Sequence, residues 1–139
     1  MSNIFGMTEA ASIALHAAVY LAEKQGHVVS THDVANALQV SENHLAKVHQ
    51  RLARHNLVQA VPGPRGGFRL ARSPRDITLM EVYEAIEGPF KAKGCLFDRR
   101  TCTRDMCIMG NLVERLNSQF MTYLASTNLQ QLLDKRFSR

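Results

Sequence analysis

The amino-acid sequence predicts a mainly α fold that carries one β-hairpin, and three observations support this prediction. Apolar residues recur at steps of three and four along most of the 139 residues, as on the buried face of a helix. Helix-capping residues precede several of these segments. The Pro- and Gly-rich run at residues 62–67 lies between two strand-like segments and is typical of a hairpin tip. The order of the elements is that of a winged helix-turn-helix, a three-helix core with a two-stranded wing, followed by a long C-terminal dimerisation helix.

The first two helices are short and have clear boundaries. One covers residues 8–25, with Thr8 as its N-cap and Gly26 as its stop. The other runs from its cap Ser30 to Leu38. A tight turn then leads to the third helix.

The third helix is predicted to begin after Ser41 and to end at Asn56, which is suited to a left-handed backbone. An inward face of Leu45, Val48 and Leu52 leaves the opposite face polar. Asn and Gln pair with adenine, while Lys and Arg pair with guanine or phosphate. We therefore expect base or near-base contacts from Ser41, Asn43, His44 and Lys47, and phosphate contacts from Gln50, Arg51 and Arg54. The remaining histidines of this helix, His49 and His55, are predicted to be structural.

Positive charge is concentrated in residues 41–76. Seven basic and two acidic residues there give +5, which equals the formal net charge of the whole chain. This asymmetry predicts a surface for double-stranded DNA, although a merely solvated basic face is the alternative. In the wing, the residues predicted to approach DNA are Arg65, Gly66, Gly67 and Arg69, with Arg72 beside them.

The wing strands are predicted over residues 57–61 and 68–71. A fourth helix starts at a capping box of Thr78 and Glu81 and ends at Gly88. An amphipathic helix over residues 108–125 has more apolar surface than one small domain covers, which predicts a partner helix in a homodimer. A last short helix is predicted to be capped by Thr127. The chain is thus divided into a DNA-binding region (1–88), a cysteine-rich loop (89–107) and a dimerisation region (108–139).

All three cysteines lie within that loop. Cys95, Cys102 and Cys107 are separated by six and four residues, and Arg99, Arg100 and Arg104 lie nearby. An odd number of clustered cysteines fits a disulfide framework poorly, and thiolates beside cations are good ligands for soft metals. Zinc sites more usually show paired two-residue spacings. The pattern favours an iron–sulfur cluster, of 2Fe-2S or 4Fe-4S type, over unmetallated thiols.

The absence of certain segments and motifs from the sequence argues against a secreted protein, a membrane protein and an enzyme. No signal peptide and no uninterrupted apolar segment of membrane-spanning length are found, so we expect a cytoplasmic protein without a membrane partner. Phosphate-binding glycine loops and nucleophile elbows are also absent from the sequence, so an enzyme is not expected.

Several motifs resemble the IscR and NsrR family of winged-helix regulators. The similarity lies in the helix-turn-helix sequences, the wing run from Gly63 to Ala71, and three cysteines that follow the Glu87-Gly88 helix end. It covers nearly the full length of the chain. The resemblance implies a homodimeric transcription factor whose three cysteines bind an iron–sulfur cluster that controls DNA affinity. We expect it to be a repressor that binds a pseudo-palindromic operator.

This sequence departs from the family pattern in two ways. IscR-like members have a histidine shortly after the third cysteine, whereas Ile108 follows here and no histidine occurs after His55. NsrR-like members take an acidic ligand from the start of the partner's first helix, and Glu9 is similarly placed. The resemblance thus implies Glu9 as the fourth ligand, and the alternative is a first-turn carboxylate that is favoured by the helix dipole.

Two alternative functions stay open. One is a metal-free thiol switch, and the other is a module that docks on a metabolic enzyme.

Overall fold

The computed structural model describes residues 7–24, 26–92, 94–96, 102 and 105–135. It contains the helices α1 (Glu9–Glu23), α2 (Thr31–Leu38), α3 (Glu42–Arg54), α4 (Leu79–Glu87), α5 (Leu112–Ser126) and α6 (Leu129–Asp134). Two strands, β1 (Val58–Val61) and β2 (Gly67–Leu70), form an antiparallel hairpin between α3 and α4. The predicted mainly α, winged helix-turn-helix fold is confirmed.

Helix α1 is the centre of the core. Its inward face is built of small residues, and Ala11, Ala14 and Ala17 are fully buried. Because these side chains end at Cβ, the helices packed against α1 can approach it closely. Helices α2, α3, α4 and α6 all contact α1, and the large core side chains Leu21, Leu45 and Leu52 fill the space between them. Truncation of such a leucine to alanine typically costs about 2–5 kcal/mol.

The first three helix starts follow the sequence prediction. The side chains of Thr8, Ser30 and Ser41 each accept a hydrogen bond from the backbone N–H three residues later. The Thr78–Glu81 capping box is complete, with both reciprocal hydrogen bonds present. Asn56 has a φ of 58°, the left-handed conformation predicted for it.

Two C-terminal predictions were wrong in detail. Helix α5 begins at Leu112 rather than near residue 108, because residues 108–111 form a turn. Helix α6 is capped by Asn128, not by Thr127. Thr127 is extended, and its carbonyl accepts a hydrogen bond from the Leu79 N–H at 2.9 Å. This backbone pairing moves the helix start by one residue.

The C-terminal helices pack on the head. Leu124 of α5 and Leu129 of α6 belong to the same buried cluster as α1, α3 and α4. The Leu129 N–H also donates to the Ile77 carbonyl at 3.0 Å. The core is therefore continuous between the first and the third of the regions assigned from the sequence.

Candidate nucleic-acid interface and cysteine cleft

Helix α3 has one buried face and one exposed face, as its sequence predicts. Leu45, Val48, His49 and Leu52 are buried. The opposite side is exposed and carries Ser41, Asn43, Lys47, Gln50 and Arg54, and His44 is half-buried beside it. Acidic Glu42 is in the first turn, and basic Arg51 and Arg54 are in the last turn, so the charges also suit the helix dipole. We call this exposed side, together with Arg65 and Arg69, the basic face.

Arg51 differs from its neighbours on α3. Its Nη1 donates a hydrogen bond to the carbonyl oxygen of Ile86 at 3.2 Å, so the guanidinium is turned towards the end of α4. The residue was predicted to hold a phosphate. The structure shows it at a contact between two helices, and the phosphate contact stays a prediction.

The wing arginines have different surroundings. Arg65 is exposed at the tip, whereas the Nε of Arg69 donates to the side-chain oxygen of Gln59 at 3.1 Å across the hairpin. Arg72 forms an ion pair with Glu81 of α4 at 3.2 Å. Thus Arg72, which was expected beside the DNA, joins the wing to α4.

The two wing glycines are explained by packing within the protein. A Cβ on Gly66 would lie 2.1 Å from the Val61 carbonyl oxygen, and one on Gly67 would lie 2.1 Å from the Val29 carbonyl oxygen. Val29 and Phe68 exchange two backbone hydrogen bonds of 2.9 Å, which attach the wing to the head. Glycine is required for this close approach, whether or not DNA is bound.

His49 is a buried titratable group between α3 and the wing. Its side chain is fully buried, and its ring lies 4.4 Å from the ring of Phe68. Nδ1 lies 3.4 Å from the Thr31 hydroxyl, while Nε2 has no hydrogen-bond partner within the described residues. Burial lowers the pKa of His49 to about 4. A structural role for His49 was predicted, and its burial agrees with that role.

A second histidine lies on the surface of the helix-turn-helix. Nδ1 of His32 is 3.1 Å from a Glu42 carboxylate oxygen at the start of α3, and Asn36 contacts Nε2 at 3.1 Å. The hydrogen bond to Glu42 is the main cause that raises the pKa of His32. This contact was not predicted, and its only signal in the sequence is the short turn that joins the two helices.

The three cysteines line one cleft of about 480 Å³. Asp105 and Glu114 line it too, together with Gly94 and Gly110. Cys102 and Cys107 are exposed, Cys95 is half-buried, and all three are free thiols. The neighbouring arginines 99, 100 and 104 lie outside the described residues.

The donor chemistry of the cleft suits an iron–sulfur cluster, since thiolates are its usual ligands and carboxylates are available beside them. Among the described residues, no three His, Cys, Asp or Glu side chains are arranged to hold a single metal ion. A cluster differs from a single ion in that its protein ligands are distributed over two or more iron atoms. The cysteines therefore need to lie in one cleft, and they do not need to surround a single metal ion. All three line the same cleft.

Glu9 does not line the cysteine cleft of its own chain. It is exposed at the first position of α1 and lines a separate cleft with Ser12, Ile13, His16, Leu38 and Val40. The preceding residue, Thr8, donates a hydrogen bond to Glu87 at the end of α4. The start of α1 thus contacts the helix that leads into the cysteine segment.

The beginning of the cysteine segment is held by α4 and α5. The Phe90 N–H donates to a Glu84 carboxylate oxygen at 2.8 Å. The Phe90 ring packs against Tyr83 of α4 and Phe120 of α5, at centroid distances of 5.7 and 5.9 Å. A role for these three aromatic residues in holding the loop was not predicted from the sequence.

A basic recognition helix, a wing and a helical core define a winged-helix DNA-binding regulator of transcription. The chain belongs to the Rrf2 family, described as iron-dependent transcriptional regulators, whose family model matches residues 7–135. This confirms the resemblance to IscR and NsrR. None of the described helices is both long and apolar enough to span a bilayer.

Individual relatives agree with this assignment. The helix-turn-helix transcriptional regulator NsrR of Bacillus subtilis is 30% identical over 132 residues, which cover 92% of this chain and 88% of that protein. A protein of Aquifex aeolicus, described as a regulator of the same type, is 32% identical over 124 residues, covering 87% and 86% of the two chains. These relatives are transcriptional regulators and not enzymes.

Solved structures match the fold over nearly the whole chain. CymR, the global cysteine regulator of B. subtilis, superposes with a TM-score of 0.75 at 25% identity, covering 94% of this chain and 98% of CymR. The IscR of T. potens superposes with a TM-score of 0.69 at 23% identity, covering 92% and 85%.

Proposed function

We propose that this protein is a homodimeric, sequence-specific transcriptional repressor whose operator affinity is controlled by an iron–sulfur cluster. The observation that carries the proposal is the cleft shared by Cys95, Cys102 and Cys107, in the segment that follows α4. Helix α4 is in turn bonded to the recognition helix through Arg51. The relationship to NsrR and the family's iron dependence support it.

The basic face is the proposed DNA contact. Asn43, His44, Lys47 and Ser41 lie near the start of α3, the end that usually reaches deepest into the major groove. The Ser41 hydroxyl also caps the helix, accepting from the His44 N–H at 3.3 Å. Gln50 and Arg54 follow along the helix and would hold phosphates, with Arg65 and Arg69 in or beside the minor groove.

The cleft is the proposed sensor. Its three thiols would be cluster ligands, and a carboxylate, that of the partner subunit's Glu9, would complete the set. When bound, such a cluster would supply reactivity towards nitric oxide, oxygen or iron scarcity. The coupling to DNA would run through Phe90 and Glu84 to the end of α4, which contacts α3.

The homodimer is proposed to form along α5. Leu112 and Tyr123 remain 37% and 48% exposed in the single chain. They are eleven residues apart, about three helical turns, and so lie on the same side of α5. Two recognition helices arranged by such a dimer would fit a pseudo-palindromic operator.

The sensor is tested by anaerobic purification, followed by visible absorbance and by counts of iron and sulfide per chain. We expect bound cluster in the wild type and its loss in Cys102→Ala. The matched control is Met106→Ala, in the same segment and 82% exposed, which should keep the cluster. Wild-type protein that contains neither iron nor sulfide would contradict the proposal.

The DNA contact is tested by the salt dependence of affinity for a duplex selected from a random library with the wild-type protein. About six phosphate contacts per subunit predict a log–log slope near 5. Arg54→Gln should reduce the slope by about 1, because one phosphate contact is lost. The control is Lys24→Gln, which removes an exposed cation just after α1 that is not part of the basic face and should leave the slope unchanged.

A thiol switch is the second candidate. The three free thiols favour it, since two are exposed to oxidants, and the fold is shared with CymR, the global cysteine regulator of B. subtilis. Two thiols would form a disulfide by giving two protons and two electrons to an oxidant such as peroxide. DNA binding that responds to peroxide in protein without iron, and is restored by a thiol reductant, would favour this candidate.

A further inference from the structure

The carbonyl groups in the last turn of α4 need partners, because a helix leaves its final carbonyls without intrahelical donors. The N–H that would otherwise bond to the Ile86 carbonyl belongs to Phe90, and this N–H donates to Glu84 instead. The guanidinium of Arg51 fills the vacancy at 3.2 Å from the Ile86 oxygen. A cation at a helix C-terminus is also favoured by the helix dipole.

The same turn of α4 therefore has two attachments. On one side it is bonded to the recognition helix through Arg51. On the other side, Glu84 and Tyr83 hold Phe90, five residues before Cys95. A displacement of the cysteine segment that pulls on Phe90 acts directly on the turn to which Arg51 is bonded.

We propose that Arg51 is a positioning residue that couples the cysteine cleft to the DNA-binding helix, by fixing α3 to the C-terminal turn of α4. This inference rests on the proposed function, since it concerns how the state of the cleft reaches the DNA. With the bond intact, α3 follows the end of α4 when the cleft changes. With the bond removed, α3 still binds DNA, but its affinity for DNA no longer depends on the state of the cleft.

A phosphate contact by Arg51 is the competing role, and the two roles have different signatures. Loss of a phosphate contact weakens DNA binding equally in both states of the cleft and lowers the salt slope by about 1. Loss of a coupling residue changes the ratio of the two affinities. Couplings of this kind are typically worth about 5- to 150-fold in affinity.

The experiment compares Arg51→Gln with Arg54→Gln. Arg54 lies one turn later on the same helix, carries the same charge, and has no hydrogen-bond partner in the described part of the chain. For each protein, affinity for the selected duplex is measured with the cluster loaded and after its removal, at several salt concentrations. Circular dichroism confirms that each variant is folded. Arg51→Met replaces Arg51→Gln if the latter does not fold, because methionine keeps a long unbranched side chain and has no donor for the Ile86 carbonyl.

We expect the ratio of the two affinities to fall by about fivefold or more in Arg51→Gln and to be retained in Arg54→Gln. Amide hydrogen exchange at Gly88 and Phe90 should also become faster in cluster-free Arg51→Gln, and not in Arg54→Gln. Equal weakening in both states with a lower salt slope would overturn the inference, as would an unchanged ratio. A wild-type ratio of one would instead contradict the proposed function itself, so the two failures are distinguishable.

Discussion

At the scale of single residues, His49 shows how a histidine can be structural within a DNA-binding helix. Its ring fills space between α3 and Phe68 of the wing, and burial disfavours its charged form. The surface residues of the same helix, such as Asn43 and Lys47, have no comparable packing role. Burial rather than residue type therefore separates the two groups of polar residues on α3.

His49 should make the stability of the protein depend on pH. Its folded pKa of about 4 is below the ordinary 6.5, so the unfolded chain binds the extra proton first as pH falls. The stability contributed by neutral His49 is present above about pH 6.5 and is lost progressively towards pH 4, by about 3 kcal/mol. Urea unfolding at a series of pH values should show this loss in the wild type and a smaller one in His49→Leu. The exposed variant His27→Leu is the control, and parallel curves for wild type and His49→Leu would contradict the prediction.

At the scale of elements, helix boundaries were predictable where capping was local. Thr8, Ser30, Ser41 and Thr78 all cap as their sequence context indicates. Thr127 does not, because Leu79 donates a hydrogen bond to its carbonyl and the neighbouring Asn128 pairs with Thr78. A contact between residues nearly fifty positions apart thus overrides a plausible local cap.

The position of the α6 cap, Asn128 or Thr127, can be tested by the free energy of unfolding. Asn128→Ala should lower the free energy of unfolding by about 1 kcal/mol, because its side chain accepts from the Gln131 N–H at 2.9 Å. Thr127→Ala, which removes the residue first expected to cap the helix, should cost much less, since its backbone pairing with Leu79 is kept. Thermal and urea unfolding of the two variants provide the comparison. A larger loss for Thr127→Ala would show that the cap lies at Thr127 after all.

At the scale of the whole molecule, the proposed regulator depends on a dimer that brings the partner subunit's Glu9 to the cysteine cleft. Two features of the single chain agree with this arrangement. Leu112 and Tyr123 are exposed on α5, while Glu9 lines a different cleft from the cysteines of its own chain. The assembly can be tested without any cluster.

Tyr123→Lys should convert the dimer to monomer, because it places a charge in the proposed apolar interface. Thr122→Lys adds the same charge one position along α5, about 100° around the helix, and should leave the dimer intact. Sedimentation equilibrium or light scattering gives the mass of each variant. A wild-type protein that is monomeric at micromolar concentration would contradict the homodimer.

The sequence by itself determined the order of elements, the inward face of α3, the basic face and the grouping of three cysteines. Each of these is encoded by periodicity, capping or charge within a short stretch of chain. Only the tertiary structure showed that Arg51 is bonded to Ile86, that Arg72 is paired with Glu81, and that Gly67 lies against Val29. These contacts join distant parts of the chain. The partners of a side chain depend on which elements pack beside its own, and the local sequence does not specify them.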